Sequence, residues 1–147
     1  MYSERRGDLF AADDLEALAH GVNCRGVMGA GIAKAFRTRW PEMYHGYRSL
    51  AEEGTLQPGG VYTYRGTPAY KAIFNLCSQE RPGPDAKLRW IASSVANMVH
   101  IAEEEDILSI GIPRVGCGIG GLDWIEVRML LETIANESSV ELVAFSL

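Results

Sequence analysis

The sequence predicts an α/β fold, a mixed β-sheet held between helices in three α/β/α layers, on three observations. Apolar runs of strand character alternate with segments of helical periodicity along all 147 residues, with short breaks and no low-complexity linker. A strand, glycine loop, helix pattern occurs twice, once ending in Ile32 to Arg39 and once running from Ile107 into a helix after Asp123. Between the repeats, Gly60 to Tyr64 and Lys71 to Leu76 flank a turn at Arg65-Gly66-Thr67-Pro68, which makes them an antiparallel pair and the sheet mixed.

Taken in order, Gly7-Asp8-Leu9-Phe10 precedes a buried strand from Leu15 to Asn23. The glycine loop Cys24 to Gly31 then feeds a helix from Ile32 to Arg39, stopped by Pro41. Pro41 starts a second helix through Tyr44, Tyr47, Arg48 and Ala51, broken at Gly54. After Pro82-Gly83-Pro84, the apolar positions Leu88, Ile91, Ala92, Val95, Met98, Val99 and Ala102 keep helical spacing, so this helix lies on the sheet. Ile107 to Ile112 reads as a buried strand. Asp123 and Glu126 have capping-box spacing ahead of a helix whose stripe is Val127, Leu130, Leu131 and Ile134, and Val140 to Leu147 closes as a strand.

A hydrophobic content of 47% and a charged content of 22% fit one globular domain over residues 1–147. No apolar run approaches the roughly 20 residues of a membrane span, and the first residues lack the apolar core of a signal peptide, so the expectation is a cytoplasmic protein, monomeric and without membrane contact. Three cysteines without a CxxC or Cys/His cluster argue against a disulfide framework and a zinc site, and neither a metal nor a cofactor is expected. A net charge of −5 argues against bulk electrostatic binding to duplex nucleic acid, so a bound anion must be held locally by loops.

Residues 113–123 are the most informative stretch. Gly116, Gly118, Gly120 and Gly121 crowd the segment between a strand and a helix start, where a turn alone would need one glycine. Such a loop lets backbone N–H groups approach a ligand without a Cβ in the way, and the helix start adds orphan donors and partial positive charge suited to a phosphate or pyrophosphate.

Gly7-Asp8-Leu9, Val22-Asn23, the run Gly26 to Ala33 and Pro113-Arg114-Val115-Gly116-Cys117-Gly118 together resemble the macrodomain family, across essentially the whole chain and in order. The runs around Val27-Met28-Gly29-Ala30-Gly31-Ile32-Ala33 and Gly121-Leu122-Asp123-Trp124 are most similar to the branch containing terminal ADP-ribose protein glycohydrolase and DNA ADP-ribosylation antitoxins. The resemblance implies ADP-ribose as ligand. Asp8 would accept from the adenine amino group, with the Leu9 N–H on a ring nitrogen; capping a turn is the other reading of Asp8. Phe145 would stack on adenine or belong to the core. Gly29, Ala30, Gly31 and Ile32 would wrap the distal ribose and a phosphate, and Val115, Gly116, Cys117, Gly118, Ile119 and Gly120 would cradle the diphosphate. Asn23 suits the distal ribose hydroxyls or holds its own loop. His20, Val22 and Ser78 complete the ligand set, with His20 read as a buried strand residue in preference to a base.

One departure bears on chemistry. The branch carries a Thr-Lys pair after the strand equivalent to Ile73 to Leu76, with the lysine catalytic, whereas this chain has Ser78-Gln79. The glycohydrolase's catalytic aspartate aligns with Gly120, leaving Asp123 as the nearby carboxylate. The catalytic expectation therefore falls on Asn23, Gln79 and Asp123, with water as nucleophile. The resemblance implies hydrolysis of mono-ADP-ribose from acidic side chains of modified proteins. The alternatives are a non-catalytic reader and an ADP-ribose-1″-phosphate phosphatase, and DNA adducts are possible partners without support in the residues.

Overall fold

The computed structural model describes residues 1–147. Six strands form one sheet in the order β1, β6, β5, β2, β4, β3, with β1 Tyr2–Arg6, β2 Ala17–Val22, β3 Val61–Tyr64, β4 Ala72–Cys77, β5 Ser109–Pro113 and β6 Glu141–Ser146. The first five in that order pair in parallel and β3 runs antiparallel to β4, so the sheet is mixed, as the hairpin reading expected. The helices are α1 Gly31–Arg39, α2 Pro41–Glu52, α3 Leu88–Glu104 and α4 Trp124–Asn136. No helix is long and apolar enough to cross a membrane.

Alternation along each inner strand builds the two faces. On β2, Ala17 and Ala19 join Phe74 and Leu76 of β4, Ile110 and Ile112 of β5 and Leu142 of β6 beneath the apolar stripes of α3 and α4. Leu18, Val22, Ile73, Cys77, Val143 and Phe145 point the other way, onto Phe36 of α1 and Met43, Tyr44 and Tyr47 of α2. A one-residue slip in β2 would exchange these sets, so burial fixes the register.

Strand β1 is the element the sequence did not show. Three of its five residues, Glu4, Arg5 and Arg6, are charged, which suits an edge strand and hides it from any apolar pattern. Asp123 caps α4 as expected, its carboxylate accepting from Ile125 N at 3.0 Å, but Glu126 makes no reciprocal bond, so a single cap replaces the expected pair.

His20 is the one buried imidazole in the α1-side face. It is 0% exposed and stacks on Phe36 with centroids 3.8 Å apart and planes 6° apart. Its Nε2 lies 2.6 Å from Asn75 Oδ1, and Asn75 Nδ2 donates to Tyr62 O at 3.1 Å, which orients the amide and assigns the Nε2–H tautomer. Nδ1 has no partner. Burial lowers the His20 pKa from 6.5 to about 4, so the native state resists a proton that the unfolded chain accepts. The neutral-imidazole contribution is therefore complete above pH 6.5 and is lost as pH falls toward about 4, a loss of about 3 kcal/mol of stability. Denaturant unfolding at pH 7 and pH 4.5 measures this slope, and His20→Phe should flatten it while lowering stability at pH 7.

Candidate functional site

A cavity of about 410 Å³ opens at the carboxyl ends of β2, β4 and β5, where crossover connections leave parallel strands and ligand sites form. Each strand delivers one wall. Gly21 and Asn23 lead into the loop Val27 to Ala33; Ser78 and Gln79 lead to Pro82 and Gly83; Pro113 leads to the run Arg114 to Gly120.

Two walls present backbone N–H groups with nothing in the protein to accept them. On one side the amides of Gly29, Ala30, Gly31, Ile32 and Ala33 are free, and α1 begins at Ala30 without any side-chain cap. On the other, the amides of Gly116, Gly118, Ile119 and Gly120 are free, while Cys117 N, Gly121 N and Leu122 N close the loop on itself through Arg114 O, Gly118 O and Gly116 O. Orphan donors at a helix start, with the positive end of its dipole, are a site for an anion.

Close packing forces glycine at two of these positions. Gly116 has φ +76°, and a Cβ there would sit 2.6 Å from Ile91 Cδ1. A Cβ on Gly120 would sit 2.7 Å from Gly116 O and 2.9 Å from Ala86 Cβ, so the position aligned with the branch's catalytic aspartate has no room for a side chain. Gly118 differs, with nothing within 4 Å of its Cβ position.

The polar side chains are largely committed to holding the loops. Asn23, 7% exposed, accepts at Oδ1 from Arg25 N at 3.0 Å and Val27 N at 3.3 Å and donates from Nδ2 to Val27 O at 2.8 Å. The buried Tyr47 hydroxyl lies 2.6 Å from Asn23 O and 2.9 Å from Asn23 Oδ1, and burial raises its pKa. One Nδ2–H of Asn23 remains for a ligand. Gln79 gives both amide hydrogens to Arg81 O and to Gly83 O at 3.0 Å, leaving Oε1 as an acceptor. The turn it braces is also held by Asp85, whose carboxylate accepts from Glu80 N and Arg81 N and is kept below the usual carboxylate range by those donors. Cys24 N donates to Glu80 O at 3.0 Å, tying the first two walls together.

Twelve expected residues therefore meet in the cavity: Asn23, Gly29, Ala30, Gly31, Ile32, Ser78, Gln79, Val115, Gly116, Gly118, Ile119 and Gly120. Four expectations are corrected. His20 and Val22 leave the ligand set for the core of the α1-side face, His20 as the buried strand residue it was read to be, because a regular strand turns their side chains from the cavity. Cys117 drops out of the diphosphate cradle, because its N–H donates to Arg114 O at 3.1 Å and its thiol points back to Val115 O at 3.4 Å. Asp123 is spent as the cap of α4 and does not line the cavity.

Asp8, Leu9 and Phe145 lie apart from the cavity, at the carboxyl ends of β1 and β6, where Gly7 N donates to Ser146 O. Asp8 caps the 3-10 turn Leu9–Ala11 through Phe10 N at 2.9 Å, the turn-capping reading, and stays exposed; the Leu9 side chain is core, but its N–H has no acceptor. Phe145 is 7% exposed, with the Arg5 guanidinium 5.7 Å from its ring centroid.

Among the residues not singled out beforehand, Arg114 is the one charged side chain lining the cavity, with its guanidinium 5.0 Å from the Trp124 ring. Gly21 is the other. A Cβ there would fall 2.7 Å from Ser78 Oγ and 2.8 Å from Val115 Cγ2, and its signal was a glycine inside an otherwise buried strand.

Residues 19–131 match the model of the Macro domain. The chain belongs to that family. The DNA ADP-ribosyl glycohydrolase of Mycobacterium tuberculosis is 35% identical over 89% of this macrodomain, which spans 38% of that relative's length. The solved macrodomain of M. tuberculosis DarG superposes with a TM-score of 0.90 at 33% identity, covering 100% of this chain and 98% of that one. An ADP-ribose 1″-phosphate phosphatase of Aspergillus oryzae is 46% identical, covering 88% of this chain and 87% of its own.

The two loop glycines give a paired expectation. Gly120→Ala should cost about 1–3 kcal/mol through overpacking against Gly116 and Ala86, whereas Gly118→Ala should melt within about 2 °C of the parent because its Cβ enters open space. Thermal unfolding of the two variants side by side measures the difference.

Proposed function

We propose that this macrodomain binds ADP-ribose and hydrolyses the bond joining it to a macromolecular carrier. The observation that carries the reading is the pair of facing, acceptor-free sets of amides, Gly29 to Ala33 on one side and Gly116, Gly118, Ile119 and Gly120 on the other, which suits a diphosphate spanning the cavity. The distal ribose then lies against Asn23 and Gln79, and Arg114 adds the one positive side chain. Adenine extends toward the ends of β1 and β6, where Asp8 offers a free carboxylate oxygen and Leu9 an unpaired N–H; this supports the adenine assignment of those two residues.

The cavity lining contains no carboxylate, imidazole, thiol or amine. Hydrolysis therefore rests on placement: water attacks the anomeric carbon, the bond to the carrier breaks with its electron pair leaving on the carrier, and the water proton passes to a substrate phosphate or to solvent. Gln79 Oε1 accepts from the water or a sugar hydroxyl, and the free Asn23 N–H donates to the sugar; neither amide is a general base. A carboxylate carrier, as on a modified acidic side chain, leaves as an anion. A nucleic-acid carrier is the second choice the mycobacterial relative supports. The Aspergillus relative supports the phosphatase alternative, and the lack of a titratable group supports a reader.

Calorimetry should give ADP-ribose a Kd in the micromolar range, about −8 kcal/mol; no heat at millimolar ligand would remove the reading. Gly118→Leu should fold normally and lose binding, because its side chain fills the open space beside the free amides. Incubation with ADP-ribosylated substrate alongside ADP-ribose-1″-phosphate separates hydrolase, phosphatase and reader by the product released. Gln79→Ala should slow release about 10- to 100-fold with affinity little altered. Asp123→Asn should leave both turnover and stability unchanged, since an amide still caps α4. Borohydride added during turnover should leave the protein mass unchanged; a trapped adduct would show an amine nucleophile.

A further inference from the structure

A row of three residues crosses the sheet just beyond the cavity. Arg6 is paired in register with Ser146, and Phe145 with Pro113, so Arg114, the next residue along, falls opposite Ser146. Arg6, Ser146 and Arg114 therefore stand side by side at the carboxyl ends of β1, β6 and β5. Their even spacing from Tyr2, Ala144 and Ile112, which pack beneath α3 and α4, puts the row on the α4 side of the sheet. Trp124, the first residue of α4, lies there, with the Arg114 guanidinium 5.0 Å from its ring.

The positive charge of this row is unspent. Arg6 and Arg114 are exposed, and neither forms an ion pair. The carboxylates on the neighbouring elements are Glu4 on β1 and Asp123 and Glu126 at the start of α4. Glu4 accepts from the Tyr2 hydroxyl at 2.9 Å and Asp123 from Ile125 N at 3.0 Å, and none of the three reaches either arginine. Neighbouring strands lie about 5 Å apart, so the two arginines start about 10 Å apart and both side chains can reach one tetrahedral anion held over Ser146.

The place of the row names the anion. With the diphosphate between the loops after β2 and β5, and adenine beside Asp8 and Leu9, the ribose joining them crosses the ends of β5 and β6, above the paired Pro113 and Phe145. The free amides of the loops already meet the diphosphate, whereas the hydroxyls of this ribose come alongside Arg114 and Ser146. An arginine beside the adenosine ribose is the way a dinucleotide site accepts a 2′-phosphate, because a planar guanidinium donates to two phosphate oxygens at once.

We infer that Arg114 and Arg6, with Ser146 between them, bind a phosphate on the 2′-hydroxyl of the adenosine ribose, so that the site takes 2′-phospho-ADP-ribosyl groups in preference to plain ADP-ribosyl groups. The inference rests on the ADP-ribose reading above and extends it to ligands that descend from a 2′-phosphorylated dinucleotide.

The test is calorimetric titration of the parent, Arg6→Ala, Arg114→Ala, Arg114→Lys and Arg6→Ala/Arg114→Ala with ADP-ribose and with 2′-phospho-ADP-ribose. The parent should bind the 2′-phosphate about tenfold more tightly, the scale of one charge-assisted hydrogen-bonded contact, and high salt should shrink that ratio. Arg6→Ala, remote from the cavity lining, should lower the ratio to about threefold and leave the Kd of ADP-ribose unchanged. Arg114→Ala should bring the ratio to about one while also weakening ADP-ribose slightly, and Arg114→Lys should keep part of the preference as a point charge without the fork. In the double variant the 2′-phosphate should bind more weakly than ADP-ribose, since the net charge of −5 then repels the added phosphate. A parent that binds ADP-ribose but shows no preference for the 2′-phosphate would overturn the inference, as would a preference that survives in the double variant. Binding of neither ligand would remove the reading of the cavity and this inference with it.

Discussion

Backbone amides without partners, held apart by a rigid sheet, are the constraint on which this structure turns. A backbone N–H that meets no protein acceptor must be satisfied by water or a ligand, and the segments after β2 and β5 carry nine such groups between them. Their positions are set by parallel strands β5 and β2, which pair side by side and end at the same edge. The groups face a solvent-filled cleft, where water serves until an anion replaces it. That replacement is favourable because the donors need no reorganisation.

The side chains around the cleft serve the backbone. Tyr47 reaches from the second helix to Asn23, Asn23 fastens its loop as far as Val27, and Gln79 and Asp85 brace the turn beyond β4. Rigid walls result, at the expense of groups that could otherwise titrate or react. A site made this way favours binding and alignment over proton transfer, and it explains how a lysine can be missing from Gln79's position and an aspartate from Gly120's while the cradle survives. Gly120 is buried against Gly116 O and Ala86 Cβ, so its lack of a side chain is a packing requirement as much as a chemical one.

Electrostatics follow the same division. Anion attraction inside the cleft comes from dipoles and one guanidinium, Arg114, set on an acidic molecule. Some exposed charges pair with one another, as Arg5 does with Asp14 at 2.6 Å and Lys71 with Glu16 at 3.2 Å. Pairs of this kind add little stability.

What the sequence by itself determined was whatever repeats locally: the helix stripe from Leu88 to Ala102, the alternation in the buried strands, the turn chemistry around Pro68 and the two glycine loops. These depend on periods of 3.6 and 2 and on glycine's freedom, which are written residue by residue. Tertiary structure decided which side each chemically capable residue faces. It put His20 and Val22 in the core, spent Asp123 on a helix cap, turned Cys117 back on its own loop and brought Arg114 and Gly21 to the cavity wall. It also recruited Tyr2 to Arg6, too charged to read as a strand, as the edge beside β6. Facing and pairing are long-range properties, fixed by packing between elements distant in the chain, so no local pattern could have carried them.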